Sequence, residues 1–109
     1  MTNANQISDA AHELHLYANN DAATWRQVEA VARNYERKRA KGTYDSALAI
    51  KGMIYAAEAA AKGYVRDHCD SATKWHAMFT PVDRVAVAAM LVADLESEWA
   101  CGNSWTPAA

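Results

Sequence analysis

The chain has 109 residues, of which 51% are apolar and 22% charged, and its formal net charge is -2. This length fits one domain, and the composition excludes an intrinsically disordered chain, which would combine low hydrophobicity with high net charge. The longest apolar run, residues 85–93, is far shorter than the roughly 20 residues that span a bilayer, and the N-terminus lacks a secretory signal. We therefore expect a cytoplasmic protein with no membrane association.

Helix is favoured throughout, because the chain contains 25 alanines and alanine loses no side-chain entropy on entering a helix. The spacing of apolar residues predicts a first helix over about residues 8–18, behind a cap at Ser8 or Asp9. Residues 19–21 ("NND") interrupt it and cap a second helix, which ends near Gly42. The predicted apolar positions of these two helices are Ile7, Ala11, Leu14, Ala18, Trp25, Val28, Ala32 and Tyr35.

A third helix is predicted from a cap at Thr43 or Asp45 to about residue 67. One face shows the alternating spacing of three and four residues that is typical of a helix packed against other helices. That face consists of Ala47, Ile50, Ile54, Ala57, Ala61 and Tyr64. A second face has almost no side chain and would let a neighbouring backbone approach closely. It consists of Gly52, Ala56, Ala59 and Gly63.

Two further helices complete the predicted bundle. A short one begins at Asp70 or Ser71 and is anchored by Trp75, Met78 and Phe79. Residues 80–83 ("TPVD") then carry the pattern of a capping box with proline at the first helical position. The last helix runs to about residue 100, with Val85, Ala88, Val92, Leu95 and Trp99 on its packed face. The sequence predicts an all-α protein, a compact bundle of about five helices. Residues 1–109 form a single helical domain, with about residues 103–109 as a C-terminal tail and Trp105 as its one anchor.

The second helix carries the most informative external face. Charge is uneven along the chain, since residues 26–51 have a net charge of +4 and the segments on either side have -3 each. At 100° per residue, four cations fall within about 80° of one another, opposite the apolar face. These four, Arg26, Arg33, Arg37 and Lys41, are called the basic stripe. With the neighbouring Lys38 and with Tyr44 as an aromatic anchor, it is the candidate partner-binding site. The alternative is a solvated helix face.

The sequence offers no convincing catalytic or metal site. The spacing of His12, His15, His68, Cys69 and His76 is poor for zinc, so we expect no metal and no cofactor, with His15 at the edge of the core and His12 exposed. No nucleophile elbow or phosphate-binding loop is present, so we expect a protein that is not an enzyme. Cys69 and Cys101 are expected to be reduced thiols. The last two helices have the lengths of a helix-turn-helix, but the second lacks exposed cations for DNA.

Four segments of the sequence, "ELHLYANN", "RKRAKGTYDSALAIK", "AAKGYVRDH" and "WHAMF", carry a resemblance to known proteins. Across residues 11–99 the chain resembles short proteins of bacteriophages and other bacterial mobile elements, most specifically at residues 38–51. The resemblance implies an accessory protein that acts in a bacterial host by blocking a host component, such as a CRISPR effector.

Three functions are therefore expected, in order. The first is a non-enzymatic inhibitor, for example an anti-CRISPR, whose partner is a host protein or ribonucleoprotein complex. The second is a nucleic-acid-associated accessory protein that places the basic stripe on phosphates. The third is a small structural or assembly protein, so that the chain is a monomer or a homodimer.

Overall fold

The protein is a bundle of five α-helices, seen in a computed structural model that describes residues 8–102. The described residues contain no strand, which confirms the predicted all-α class. Ile7, the tail at residues 103–109 and its anchor Trp105 lie outside the described residues. The helices are α1 (Asp9–Asn20), α2 (Ala22–Ala40), α3 (Ser46–His68), α4 (Trp75–Met78) and α5 (Pro81–Ala100).

The long helices begin at the predicted caps. Asp21 accepts hydrogen bonds from the amide and the hydroxyl of Thr24, and Asp45, rather than Thr43, caps α3. Gly42 has a φ of 75°, the left-handed conformation expected of a residue that ends a helix. The capping box of α5 is present, with Thr80 and Asp83 bonding each other's backbone amides.

The short helix α4 begins later than predicted. The carboxylate of Asp70 accepts hydrogen bonds from the amide of Ala72 and the hydroxyl of Thr73, which closes a turn instead of starting a helix. α4 therefore starts at Trp75 and has only four residues. Of its predicted anchors, Phe79 is buried, Trp75 is half-buried and Met78 is exposed.

Helices α3 and α5 are central and form the most extensive helix pair of the bundle. α3 also packs on α1, α2 and α4, while α1 packs on α2 and α5 as well. The described chain measures 44 × 38 × 20 Å, so it is a slab about two helices thick. No helix of the described residues is long and apolar enough to cross a membrane.

The buried face of α3 matches the predicted one only in part, since Ala57 and Ala61 are completely buried, as predicted. Ala47 is exposed, and Ile50 and Ile54 are only half-buried, whereas Ala49, Met53, Ala56 and Ala60 are completely buried. α3 packs against four other helices, so its buried arc is wide and centres on the small side chains. Val85 of α5, also expected in the core, is 46% exposed because it lies beside the arc that faces α3 and α1.

The small-residue face of α3 accepts tyrosine side chains rather than a neighbouring backbone. A Cβ added to Gly52 would lie 2.7 Å from the hydroxyl of Tyr35, and a Cβ added to Gly63 would lie 2.7 Å from that of Tyr17. The hydroxyl of Tyr35 donates to the carbonyl of Leu48, and the hydroxyl of Tyr17 donates to Asp67. Gly52 therefore makes room for Tyr35, which links α2 to α3. Gly63 makes room for Tyr17, which links α1 to α3.

Candidate interaction surface on α2 and α3

The basic stripe runs along the outward side of α2, as the sequence predicts. Its four side chains are exposed, as is Lys38 beside them. Arg26 and Lys41 are fifteen residues apart, which at 1.5 Å per residue makes a row of about 22 Å. Ala30, also exposed, lies within this row and leaves the surface low between the arginines. The stripe is thus a straight, accessible band on a rigid helix.

Most of these cations have no acidic partner within residues 8–102. Arg33 lies 3.8 Å from Glu29, one turn earlier, which is a long contact for an ion pair. No carboxylate of the described chain lies within 4 Å of the other members of the surface, Arg26, Arg37, Lys38 and Lys41. Their charge is therefore not compensated locally, and the stripe carries a concentrated positive field.

The C-terminal end of α2 is held in place by Trp99 of α5. The guanidinium of Arg39 lies over the indole of Trp99, 4.9 Å from the ring centre. The indole N–H donates to Glu36 at 3.2 Å, so two residues of α2 bind the same side chain. The Arg39 side chain therefore contacts α5, whereas the side chains of Arg37, Lys38 and Lys41 are exposed to solvent.

Tyr44, the aromatic anchor of the predicted partner-binding site, belongs to this anchored region. It is half-buried, its hydroxyl donates to Glu96 at 2.6 Å, and its ring packs edge-on against Trp99. Burial and the hydrogen bond to Glu96 raise the pKa of Tyr44 above its usual value. Tyr44 therefore joins α5 to the connection between α2 and α3. Its role as a partner contact stays a prediction.

The exposed aromatic residue nearest to the cations of α3 is Tyr55, which the sequence left unassigned. Its side chain is 76% exposed, and Leu48, two turns earlier, is 54% exposed. The residues Leu48, Lys51, Tyr55, Lys62 and Arg66 fall within about 60° of one another around the helix and form what we call the outer face of α3. The sequence did contain a signal for this face, since Leu48, Tyr55 and Lys62 follow one another at intervals of seven residues on the side of α3 opposite the buried alanines.

A shallow groove connects the two helices at one end of these surfaces. Its volume is about 350 Å³, and its walls include Gln27 of α2 with Ala59, Lys62 and Arg66 of α3. Lys62 also lies over the ring of Trp75, 5.3 Å from its centre. The basic stripe and the outer face of α3 are therefore adjoining parts of one cationic surface.

Of the histidines and cysteines, Cys69 lies at the end of the outer face of α3, where it lines a pocket with Lys62 and Arg66. His12 is exposed, while His15 is half-buried at the core edge, as predicted, with its Nε2 2.8 Å from Asp94. Within residues 8–102 there is no group of three or more histidine, cysteine or acidic side chains placed to hold a metal ion. Cys69 and Cys101 are free thiols, and the sulfur of Cys69 lies 3.7 Å from that of Met78.

Comparison with known proteins provides no functional guide for this surface. No family model, curated protein or solved structure matches the chain. A function must therefore be argued from the chemistry of the surface, namely its exposed cations, few of which have an acidic partner among residues 8–102, and its two exposed apolar side chains.

Proposed function

We propose that this protein is a non-enzymatic accessory protein of phage or mobile-element origin. In this proposal it acts in the bacterial cytoplasm by binding and inhibiting a host macromolecular complex, for example as an anti-CRISPR. The observation that carries the proposal is the row of exposed cations on α2, most of which have no acidic partner within residues 8–102, in a chain whose net charge is -2. The resemblance to short phage proteins supplies the biological context.

The positive charge of the protein is concentrated along one side of α2. A local row of cations on an otherwise acidic molecule attracts a complementary acidic patch and orients the molecule as it approaches. Because the stripe is on a 19-residue helix anchored through Trp99, binding would cost little backbone entropy. Such a surface is suited to covering a site on a larger complex.

The test is charge reversal on the stripe, in the triple variant Arg33→Glu, Arg37→Glu and Lys41→Glu. The thermal midpoint should change little, because exposed charges contribute little to stability. The protein is expressed in bacteria with active CRISPR systems of different types, and phage plaques are counted. We expect the wild type to restore plaques on one of these hosts and the triple variant to fail.

The matched control is Lys74→Glu, which reverses an exposed cation outside α2 and α3. This variant should inhibit like the wild type. If the folded triple variant inhibits fully, the stripe is only a solvated face and the proposal is wrong about the site.

A nucleic-acid-associated function is the alternative that the same cations favour, because phosphates would pair with them. Fluorescence anisotropy of a labelled DNA duplex, measured at several salt concentrations, separates the two. Phosphate contacts make affinity fall steeply with salt, with a slope of about -0.9 per contact. Duplex binding near 0.15 M salt that the triple variant abolishes would favour this alternative over inhibition through a protein contact.

A small dimeric assembly protein is the third candidate, and two exposed valines on α5 favour it. Val82 is 77% exposed, and Val85 lies one turn further along the same helix. Sedimentation at increasing concentration tests this function. A mass that doubles in the wild type, but not in Val82→Glu, would support it.

A further inference from the structure

The outer face of α3 combines apolar and cationic side chains in a regular pattern. Leu48 and Tyr55 differ by about 20° around the helix and lie about 10 Å apart along it. Lys51 lies between them, and Lys62 lies two turns beyond Tyr55. Exposed Tyr and Leu side chains within a set of cations resemble the anchors of a protein interface more than the surface of a solvated helix.

The carboxylates near this face are already engaged. Asp21 and Asp70, which line pockets with Lys62 and Arg66, accept hydrogen bonds from the backbone amides of Thr24 and Ala72. Glu58 pairs with Arg84 at 3.1 Å, which draws it toward α5. Asp67 is bound by Arg66 and by the hydroxyl of Tyr17. Within residues 8–102, no carboxylate lies within 4 Å of Lys51 or Lys62. The outer face therefore provides two apolar contacts and at least two cations that a partner can neutralise.

The basic stripe extends this pattern on the neighbouring helix. The hydroxyl of Tyr35 binds the carbonyl of Leu48, and Lys38 is one turn further along α2. At the other end, Gln27, Lys62 and Arg66 line the same groove, together with Asp21, whose carboxylate caps α2. A helix lying along α2 and α3 would therefore contact Leu48 and Tyr55 at its centre and the cations of the two helices along its sides.

We propose that this surface binds an acidic amphipathic helix of the partner protein. The inference rests on the proposed function and specifies its partner. Apolar side chains seven residues apart on the partner helix repeat at the same 10 Å interval as Leu48 and Tyr55. Glutamates or aspartates beside them pair with Lys51, Lys62 and the basic stripe.

Duplex nucleic acid fits the surface less well. Its phosphates would cover Leu48, which can neither pair with a charge nor stack on a base. Glu29 and Glu36 also border the stripe on one side, and they would repel a continuous polyanion. A protein helix with separated carboxylates avoids both conflicts.

The experiment selects peptides from a randomised display library on the intact wild-type protein. We expect enriched sequences to carry acidic residues around apolar residues spaced by three, four or seven. The tightest one is synthesised with a fluorescent label, and its Kd is measured by anisotropy. The double variant Leu48→Ala and Tyr55→Ala should weaken binding about tenfold or more, because truncating central anchors has the largest effect on affinity.

Val82→Ala is the matched control, since Val82 is as exposed as Tyr55 but lies on α5. It should leave the Kd unchanged, and circular dichroism should show all variants folded. Neutral or basic enriched peptides, no enrichment, or an unchanged Kd for the double variant would each overturn the inference. An unlabelled DNA duplex that displaces the peptide at 0.15 M salt more strongly than unlabelled peptide would also overturn it.

Failure of this inference can be distinguished from failure of the proposed function. If no acidic helix binds but the triple variant still loses inhibition, the inhibitor proposal stands and the partner class is wrong. If an acidic helix binds through Tyr55 but no host complex is inhibited, the inference stands and the inhibitor proposal is wrong.

Discussion

Asp83 links the N-terminus of α1 to the N-terminus of α5. Removing its side chain should lower the free energy of unfolding more than most single substitutions do. Its side chain is almost completely buried. One carboxylate oxygen accepts from the Thr80 amide at 3.1 Å, which completes the cap of α5. The other accepts from the Ser8 hydroxyl at 2.7 Å. Ser8 in turn accepts from the Ala11 amide, so it also caps α1.

The expected cost of Asp83→Ala follows from these contacts. A hydrogen bond to a charged group contributes about 1.5–3 kcal/mol, and the variant loses two. Part of the loss is recovered because water can reach the freed Thr80 amide, so we expect about 2–4 kcal/mol in total. For a domain of this size, that lowers the melting temperature by about 10–20 °C. Asp83→Asn keeps one hydrogen-bond acceptor, so it should lower the free energy of unfolding less than Asp83→Ala does.

The pH dependence of stability gives an independent check. Burial alone would raise the pKa of Asp83, but the hydrogen bonds from Ser8 and Thr80 outweigh burial and lower it. A lowered pKa in the folded state means that the stabilisation is present above the unfolded pKa, about 3.9, and is lost as the pH falls through the folded value. The difference between wild type and Asp83→Ala should therefore narrow below about pH 4.

Thermal unfolding followed by circular dichroism measures these effects, with Glu13→Ala as the control because Glu13 is an exposed acid of α1. The control should stay within about 0.5 kcal/mol of wild type. A double-mutant cycle with Ser8→Ala should show a coupling of about 0.5 kcal/mol or more. If Asp83→Ala behaves like the control, or if the coupling is zero, the argued link between the two caps is wrong.

Two further predictions concern the tyrosines that pack against α3 and α5. Gly52→Ala should lower the free energy of unfolding, measured in urea, by about 1–3 kcal/mol, because the added methyl group meets the buried Tyr35. Gly63→Ala should have a smaller effect, because it meets the half-buried Tyr17, which can move outward. Equal costs would contradict this ranking. Burial and the bond to Glu96 raise the pKa of Tyr44, so the stability that its hydroxyl contributes is present below about pH 10 and is lost as the pH rises. Tyr44→Phe should therefore be less stable than wild type by about 1 kcal/mol at pH 7, and the difference should shrink at pH 11; a growing difference would refute the argument.

The parts of the fold that depend on neighbouring residues could be predicted from the sequence. Thr80 and Asp83 cap each other across three residues, and Gly42 ends a helix through its own backbone, so short patterns were sufficient. The bond between Ser8 and Asp83 spans 75 residues and depends on how α1 packs on α5. No local pattern specifies such a contact.

The candidate site was predictable only in part, for a similar reason. The exposure of the basic stripe follows from the helical period of α2 alone. The positions of Tyr44 and Tyr55 depend instead on where α5 lies, because α5 supplies Glu96 and Trp99 to Tyr44 and nothing to Tyr55. On α3, the large isoleucines moved the centre of the predicted face away from that of the buried one, since contact with several helices favours alanine where they approach most closely.

The alanine-rich inner face of α3 has a consequence for how the protein can change over generations. Replacing an inner alanine by a larger side chain would force neighbouring helices apart, so few such changes leave the fold intact. Replacing Leu48, Lys51 or Tyr55 alters only side chains in contact with solvent and has little effect on folding. Mutations can therefore accumulate on one side of a single helix and track a changing partner, while the opposite side of the same helix stays fixed.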